Sequence, residues 1–175
     1  AGAAQFFEFP LSEITDQVMS LENILGLEGR ALQESILNAK DNTLRFGILT
    51  QYLVNRLGRG PEDVLVRAAV RLIGNGETNY DSLARKIGLS RRQIERLFKT
   101  HVGISPATLA RIFKFQNFLA LAKREPAIKL IDASHECGYY DQSHFIKEFK
   151  AFSGVSPSFF LAESHEMSDC FTAAE

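Results

Sequence analysis

The sequence has no tryptophan, only two cysteines in 175 residues, and no CxxC pair. Two thiols cannot build a disulfide scaffold, so Cys137 and Cys170 are expected reduced, as in a cytoplasmic protein, one buried and one in the tail. The four histidines, His101, His135, His144 and His165, never stand four apart as a helical metal pair would, and no metal site is expected. A long apolar run is also missing. Nothing approaches the ~18 uncharged apolar residues of a membrane span, so no membrane partner is expected. The opening AGAAQFFEF lacks the basic start and apolar stretch of a signal peptide. No segment alternates apolar and polar residues well enough to be a strand. The start at Ala1 rather than Met reads as a processed or cut-down piece of a longer protein.

What the chain does have is 45% apolar residues, 14 phenylalanines among them, enough for a core. Its net charge of −1 is unevenly spread. Residues 1–77 hold 7 basic and 10 acidic side chains, residues 78–162 hold 13 and 7, and residues 163–175 hold none and 4. A basic middle block between acidic flanks points to a polyanionic partner for that block.

Almost every segment carries helical periodicity, giving an all-α fold. Helical stretches are expected over 11–25, 28–39 and 43–58, the last with Leu44, Ile48, Leu49, Tyr52, Leu53 and Leu57 at helical spacing. GRGP (58–61) ends that helix, Pro61 opens another to about Ile73, and GNGETN (74–79) is a turn. Residues 1–73 thus form a small helical segment ahead of a second block, 74–162, and 163–175 is an acidic flexible tail.

The second block says one phrase twice: "ERLFKTHVGISPATL" at 95–109 and "KEFKAFSGVSPSFF" at 147–160. Ahead of the first lies DSLARKIG, with Leu83, Ala84 and Ile87 inward and Gly88 closing the helix; Ser90 caps a second helix, 91–101. Two short helices joined by a short Gly-containing turn are a helix-turn-helix motif, here spanning 80–101. Ser105-Pro106 opens a connecting helix, 106–123. The motif then recurs at 128–152, with Ser134 four residues before Gly138 as Ala84 is before Gly88, and with Asp141 as the cap of helix 142–152. The glycines are 50 residues apart and the Phe-Lys pairs 51, so the second turn is one residue longer.

In helix 91–101 the apolar stripe is Ile94, Leu97 and Phe98, opposite Arg92, Glu95, Arg96 and Lys99. In helix 142–152 it is Phe145, Phe149 and Phe152, opposite Gln142, Ser143, Ile146, Lys147 and Lys150. An α-helix fits the major groove of B-DNA, where Arg or Lys bonds guanine and Gln bonds adenine. A connecting helix of about 27 Å is of the scale that separates successive major-groove faces, about 34 Å.

At these residues the chain resembles the AraC/XylS family of bacterial transcription regulators, from about Tyr80 to Phe160. "GYYDQSHFIKEFKAFSGVSP" (138–157) fits the family pattern around the second motif, and "LSRRQIERLFKTHVGISP" (89–106) fits the first. The resemblance implies a sequence-specific DNA-binding transcriptional regulator that places two recognition helices in adjacent major-groove segments of promoter DNA. On the family pattern Arg92, Glu95 and Arg96 form one base-reading set, and Gln142, Ser143, Ile146 and Lys147 the other. Lys99 and Lys150 would meet phosphate or water. Glu95 either accepts from a cytosine amino group or pairs with Arg92 or Arg91, which puts Arg91 among the candidate contacts. His144 belongs to the family motif and is as compatible with packing as with base contact. Ala133 is smaller than the family's aliphatic there, so looser packing of the second opening helix is expected.

"ARIFKFQNFLALAK" (110–123) resembles a subgroup in which a mostly β sensor domain comes first, and "GAAQFFEFPLSEITDQV" resembles that domain's end. The resemblance therefore implies a sensor largely absent from this chain, with an unknown effector. It also implies RNA polymerase as a partner for an activator. Residues 11–73 either contribute to a homodimer or pack onto the first motif. No catalytic residue and no cofactor are expected: Cys137 reads as core, and Cys170 has no organised base beside it. The alternative to DNA binding is a helical protein-interaction module.

Overall fold

The computed structural model describes residues 3–57 and 64–163. Among these residues all regular structure is helical. Two 3-10 turns, Ala3–Gln5 and Leu11–Glu13, precede ten α-helices: α1 Leu21–Leu25, α2 Leu27–Leu37, α3 Asn42–Arg56, α4 Val64–Gly74, α5 Tyr80–Ile87, α6 Arg91–His101, α7 Pro106–Arg124, α8 Leu130–Glu136, α9 Gln142–Ser153 and α10 Pro157–Glu163. The chain divides into two compact units, Ala1–Arg71 with Tyr80–Pro106, and Leu72–Asn79 with Ala107–Glu175, each as far as it is described. The expected GRGP turn and the acidic tail lie outside the described residues.

In the first unit α2 packs against α1 and α3. The helix expected over 11–25 is only partly there. After the turn at Leu11–Glu13 the chain is not helical again until Ser20, whose hydroxyl accepts from the Asn23 amide and caps α1. The break coincides with two bonds of one hydroxyl, one local and one to a distant residue. Thr15 turns its hydroxyl back onto the Leu11 carbonyl at 2.9 Å and onto the Gly103 carbonyl at 3.1 Å. Such side-chain bonds compete with helix propagation. Nor is there a packing face to draw the segment into a helix, since Val18 stands wholly in solvent.

On α3 the apolar positions recur as expected, but Leu44 and Leu49 remain exposed, as does Leu57 just past its end. The buried residue of that helix is Arg56, which donates to the Phe6 carbonyl at 2.9 Å and to Glu28 at 2.7 Å. A guanidinium whose donors are satisfied by a carboxylate and a carbonyl can be buried at tolerable cost. It ties the N-terminal segment to α2 and α3.

The two helix-turn-helix motifs share their turn chemistry. Gly88 and Gly138 adopt φ of 75° and 74°, a region that side chains with a Cβ avoid. The residue after each glycine sends its amide back to the small residue upstream, Leu89 to the Ala84 carbonyl at 3.2 Å and Tyr139 to the Ser134 carbonyl at 2.9 Å. Ser90 then caps α6 in a reciprocal capping box with Gln93, and Asp141 caps α9 by accepting from the His144 amide at 2.8 Å. Ser90 stands two residues past its glycine and Asp141 three, which is the extra turn residue expected from the 50- and 51-residue offsets. Because the Asp141 cap is unassisted, Asp141→Ala is expected to cost about 1 kcal/mol of stability, read as a lowered urea midpoint with an unchanged slope.

The second unit is built on phenylalanine. Phe115 and Phe118 of α7, Phe145 and Phe149 of α9 and Phe160 of α10 form one buried cluster with Ala133, Cys137 and Tyr139. Ala133 is completely buried, and Ser134 beside it donates its hydroxyl to the Ile131 carbonyl at 2.7 Å.

Candidate nucleic-acid interface

On α6 the division between faces is sharp. Ile94 and Phe98 are completely buried, Leu97 is half-buried, and Arg91, Arg92, Glu95, Arg96 and Lys99 are exposed. Arg91 lies over the Tyr80 ring, 4.6 Å from its centroid, and its Nε is 3.2 Å from Glu95. Glu95 is therefore paired with Arg91, one of the two roles expected for it, and the pair leaves Arg92, Arg96 and Lys99 without an ion pair among the described residues. Tyr80, at the start of α5, was not singled out by the sequence. Its role depends on two helices crossing, which no local pattern reports.

Glu95 and Lys99 also line a cleft of about 320 Å³ with Ser12 and residues 103–106. The approach of the turn Leu11–Glu13 to α6 was not legible in sequence either. A Cβ placed on Gly103 would meet Thr15 Oγ1 at 2.5 Å, so the small residue there serves close approach as well as its φ of 86°.

On α9, Phe145 and Phe149 are completely buried. Ser143, Lys147 and Lys150 are exposed and Gln142 is half-buried. Ile146 is also half-buried and packs against the phenylalanine core, so only part of its surface remains available. His144 is exposed, with its ring edge-on to Tyr139 at 5.7 Å. Phe152, expected in the apolar stripe, is 36% exposed and lies beneath Arg111.

Two titratable groups of the second unit are displaced from their ordinary ranges. Burial, with a smaller push from Glu136 and an opposing pull from Lys114, raises the Cys137 thiol to about 11. Burial, then Glu148 and Cys137, raise the Tyr139 hydroxyl to about 12, against Arg111. A buried thiol held neutral at physiological pH is a poor nucleophile. Cys137 is a core residue, and Cys170 lies outside the described residues.

Comparison with known proteins agrees with this geometry. A helix-turn-helix domain family matches residues 83–163. The chain is 28% identical over 117 residues to the HTH-type transcriptional regulator MtrA of Neisseria gonorrhoeae, covering 67% of this chain and 36% of that protein. It is 30% identical over 101 residues to the HTH-type transcriptional regulator CdhR of Pseudomonas aeruginosa, covering 53% and 29%. It is 35% identical over 84 residues to the HTH-type transcriptional activator RhaS of Pectobacterium carotovorum, covering 47% and 29%. The chain thus spans about a third of the length of these relatives. In fold it is similar to a crystal structure of "a probable AraC family transcriptional regulator from Rhodopseudomonas palustris", with a TM-score of 0.51 and 24% identity over 57% of this chain and 96% of that one. Twin capped helices and matched turns agree with these relatives: residues 83–163 match the helix-turn-helix domain family, and over that block the chain is similar to HTH-type transcriptional regulators.

Proposed function

We propose that this chain binds promoter DNA sequence-specifically, with α6 and α9 entering adjacent segments of the major groove, and that it regulates transcription in the cytoplasm. The observation that carries the reading is the same division on both helices. Ile94 and Phe98 on one, and Phe145 and Phe149 on the other, are completely buried, while Arg92, Arg96 and Lys99, and Ser143, Lys147 and Lys150, face outward. Phosphate contacts would supply most of the affinity and base contacts the selection. Arg92, Arg96, Gln142, Ser143 and Lys147 are the proposed base readers, Ile146 contributing its outward part to a thymine methyl or another apolar edge. Glu95 acts through Arg91, and Lys99 and Lys150 meet phosphate.

A gel shift with tiled upstream DNA at two salt concentrations tests the reading; equal retention of every fragment would refute specificity. Arg96→Ala is expected to cost about 1–3 kcal/mol of binding, concentrated at the base pair that Arg96 contacts, which competition between single-base variants of the best fragment measures. A homodimer through residues 11–57 is supported by the apolar side chains exposed on α2 and α3, Leu27, Leu37, Leu44, Phe46 and Val54.

A further inference from the structure

We infer that Lys114 and Arg111, one turn apart on α7, are positioning residues that hold the turn and the second helix of the second helix-turn-helix motif. The consequence for base reading rests on the DNA-binding role proposed above; the clamp itself does not.

The second turn is the weaker of the two by local criteria. It has one more residue between glycine and cap than the first, and its cap lacks the reciprocal partner that Gln93 gives Ser90. What it has instead is a cation from α7. Lys114 Nζ donates to the Gly138 carbonyl at 2.5 Å and lies 5.0 Å from the centroid of the Tyr139 ring. Tyr139 is buried, and its ring meets His144 at 5.7 Å and Phe145 at 5.2 Å, both in the first turns of α9. The path from Lys114 to His144 and Phe145, which follow the candidate readers Gln142 and Ser143 on α9, is therefore two contacts long. The first motif has no such device at its glycine: among the described residues nothing lies within 4 Å of a Cβ built on Gly88, whereas Lys114 Cε is 3.8 Å from one built on Gly138.

Arg111 supplies the other end. It bonds Glu148 in the middle of α9, a carboxylate whose side chain is only 16% exposed, and its guanidinium lies 5.2 Å from the Phe152 ring centroid. Between these ties the contact of α7 with α9 is phenylalanine on phenylalanine. Apolar contacts are non-directional and fix separation better than roll. A roll of about 20° would move a side-chain tip ~6 Å from the helix axis by ~2 Å, several times the ~0.5 Å tolerance of a working recognition contact. Two directional bonds, one at the turn and one at mid-helix, resist that roll.

The experiment compares the wild-type chain, Lys114→Met and Lys114→Arg in two readouts. Amide hydrogen exchange is followed in the DNA-free protein, and bound duplexes are selected from a randomised pool. In the methionine variant exchange over residues 139–145 is expected to accelerate about tenfold while α6 is unchanged. Base preference should be lost only at the pairs read by α9, and the arginine variant should restore both. Unchanged exchange in the methionine variant overturns the clamp, whatever the DNA result. So does unchanged base preference at every position when the wild type is selective. If exchange responds and arginine restores it while the wild type selects no sequence, the clamp stands and the DNA-reading role fails.

Discussion

Affinity for a specific duplex is expected to fall about five-hundredfold between about 50 and 200 mM monovalent salt. The expectation comes from the local charge and not from the whole chain, whose net charge of −1 offers no general attraction to a polyanion. Arg91, Arg92, Arg96 and Lys99 stand exposed on α6, and Lys147 and Lys150 on α9. Each cation that displaces a counterion from the duplex, at a phosphate or at a base edge beside one, contributes about −0.9 to the slope of log affinity against log salt, so about five such cations give a slope near −4.5. Glu95 lowers the count, because it already compensates Arg91 at 3.2 Å. The measurement is fluorescence anisotropy across a salt series. Lys99→Ala should reduce the slope by about one without changing the preferred sequence, and Arg96→Ala should change the preference as well. A slope near zero would mean that these faces do not meet DNA, and would favour protein contact as the role of the helices.

The helix-turn-helix block was legible in the sequence because its determinants are local. Gly88 and Gly138 mark turns that need a positive φ, Ser90 and Asp141 mark caps, and the spacing of Ile94, Leu97 and Phe98 marks a buried face; each signal is contained within a few residues. The first segment was less legible for the opposite reason. Residues 11–25 have helical periodicity, but the Thr15 bond to Gly103, 88 positions away, ends the helix, and periodicity carries no information about such a partner. On α3 the sequence places an apolar stripe correctly and cannot say that the side chains facing it are too few to cover it. Within the candidate interface, the outward positions of Arg92, Arg96 and Lys147 follow from helical phase alone. The pairing of Arg91 with Tyr80, and the hold of Lys114 on Gly138, arise between elements and needed coordinates.

Phe118→Ala is expected to cost about 3–5 kcal/mol of stability, the range for removing a buried aromatic ring and leaving a cavity. Phe118 is completely buried on α7 and touches three other rings: Phe145 at 4.9 Å, Phe149 at 5.0 Å in an edge-on arrangement, and Phe160 at 6.2 Å. Those partners come from α9 and α10, so one truncation loosens both helices from α7 at once. Tilted and edge-on rings add about 0.5–1.5 kcal/mol per pair beyond the area they bury, and smaller neighbours cannot recover that by shifting inward. Since domains of this size are stable by only about 5–15 kcal/mol, the loss removes a large share of the total. Phe159→Ala on α10 is the matched control: its ring is 47% exposed, and the expected cost is about 1 kcal/mol or less. Urea denaturation of both variants decides the matter. Equal costs would mean that the ring cluster is not what holds α9 in place, and the orientation of its cationic face would then depend on the Arg111 and Lys114 ties alone.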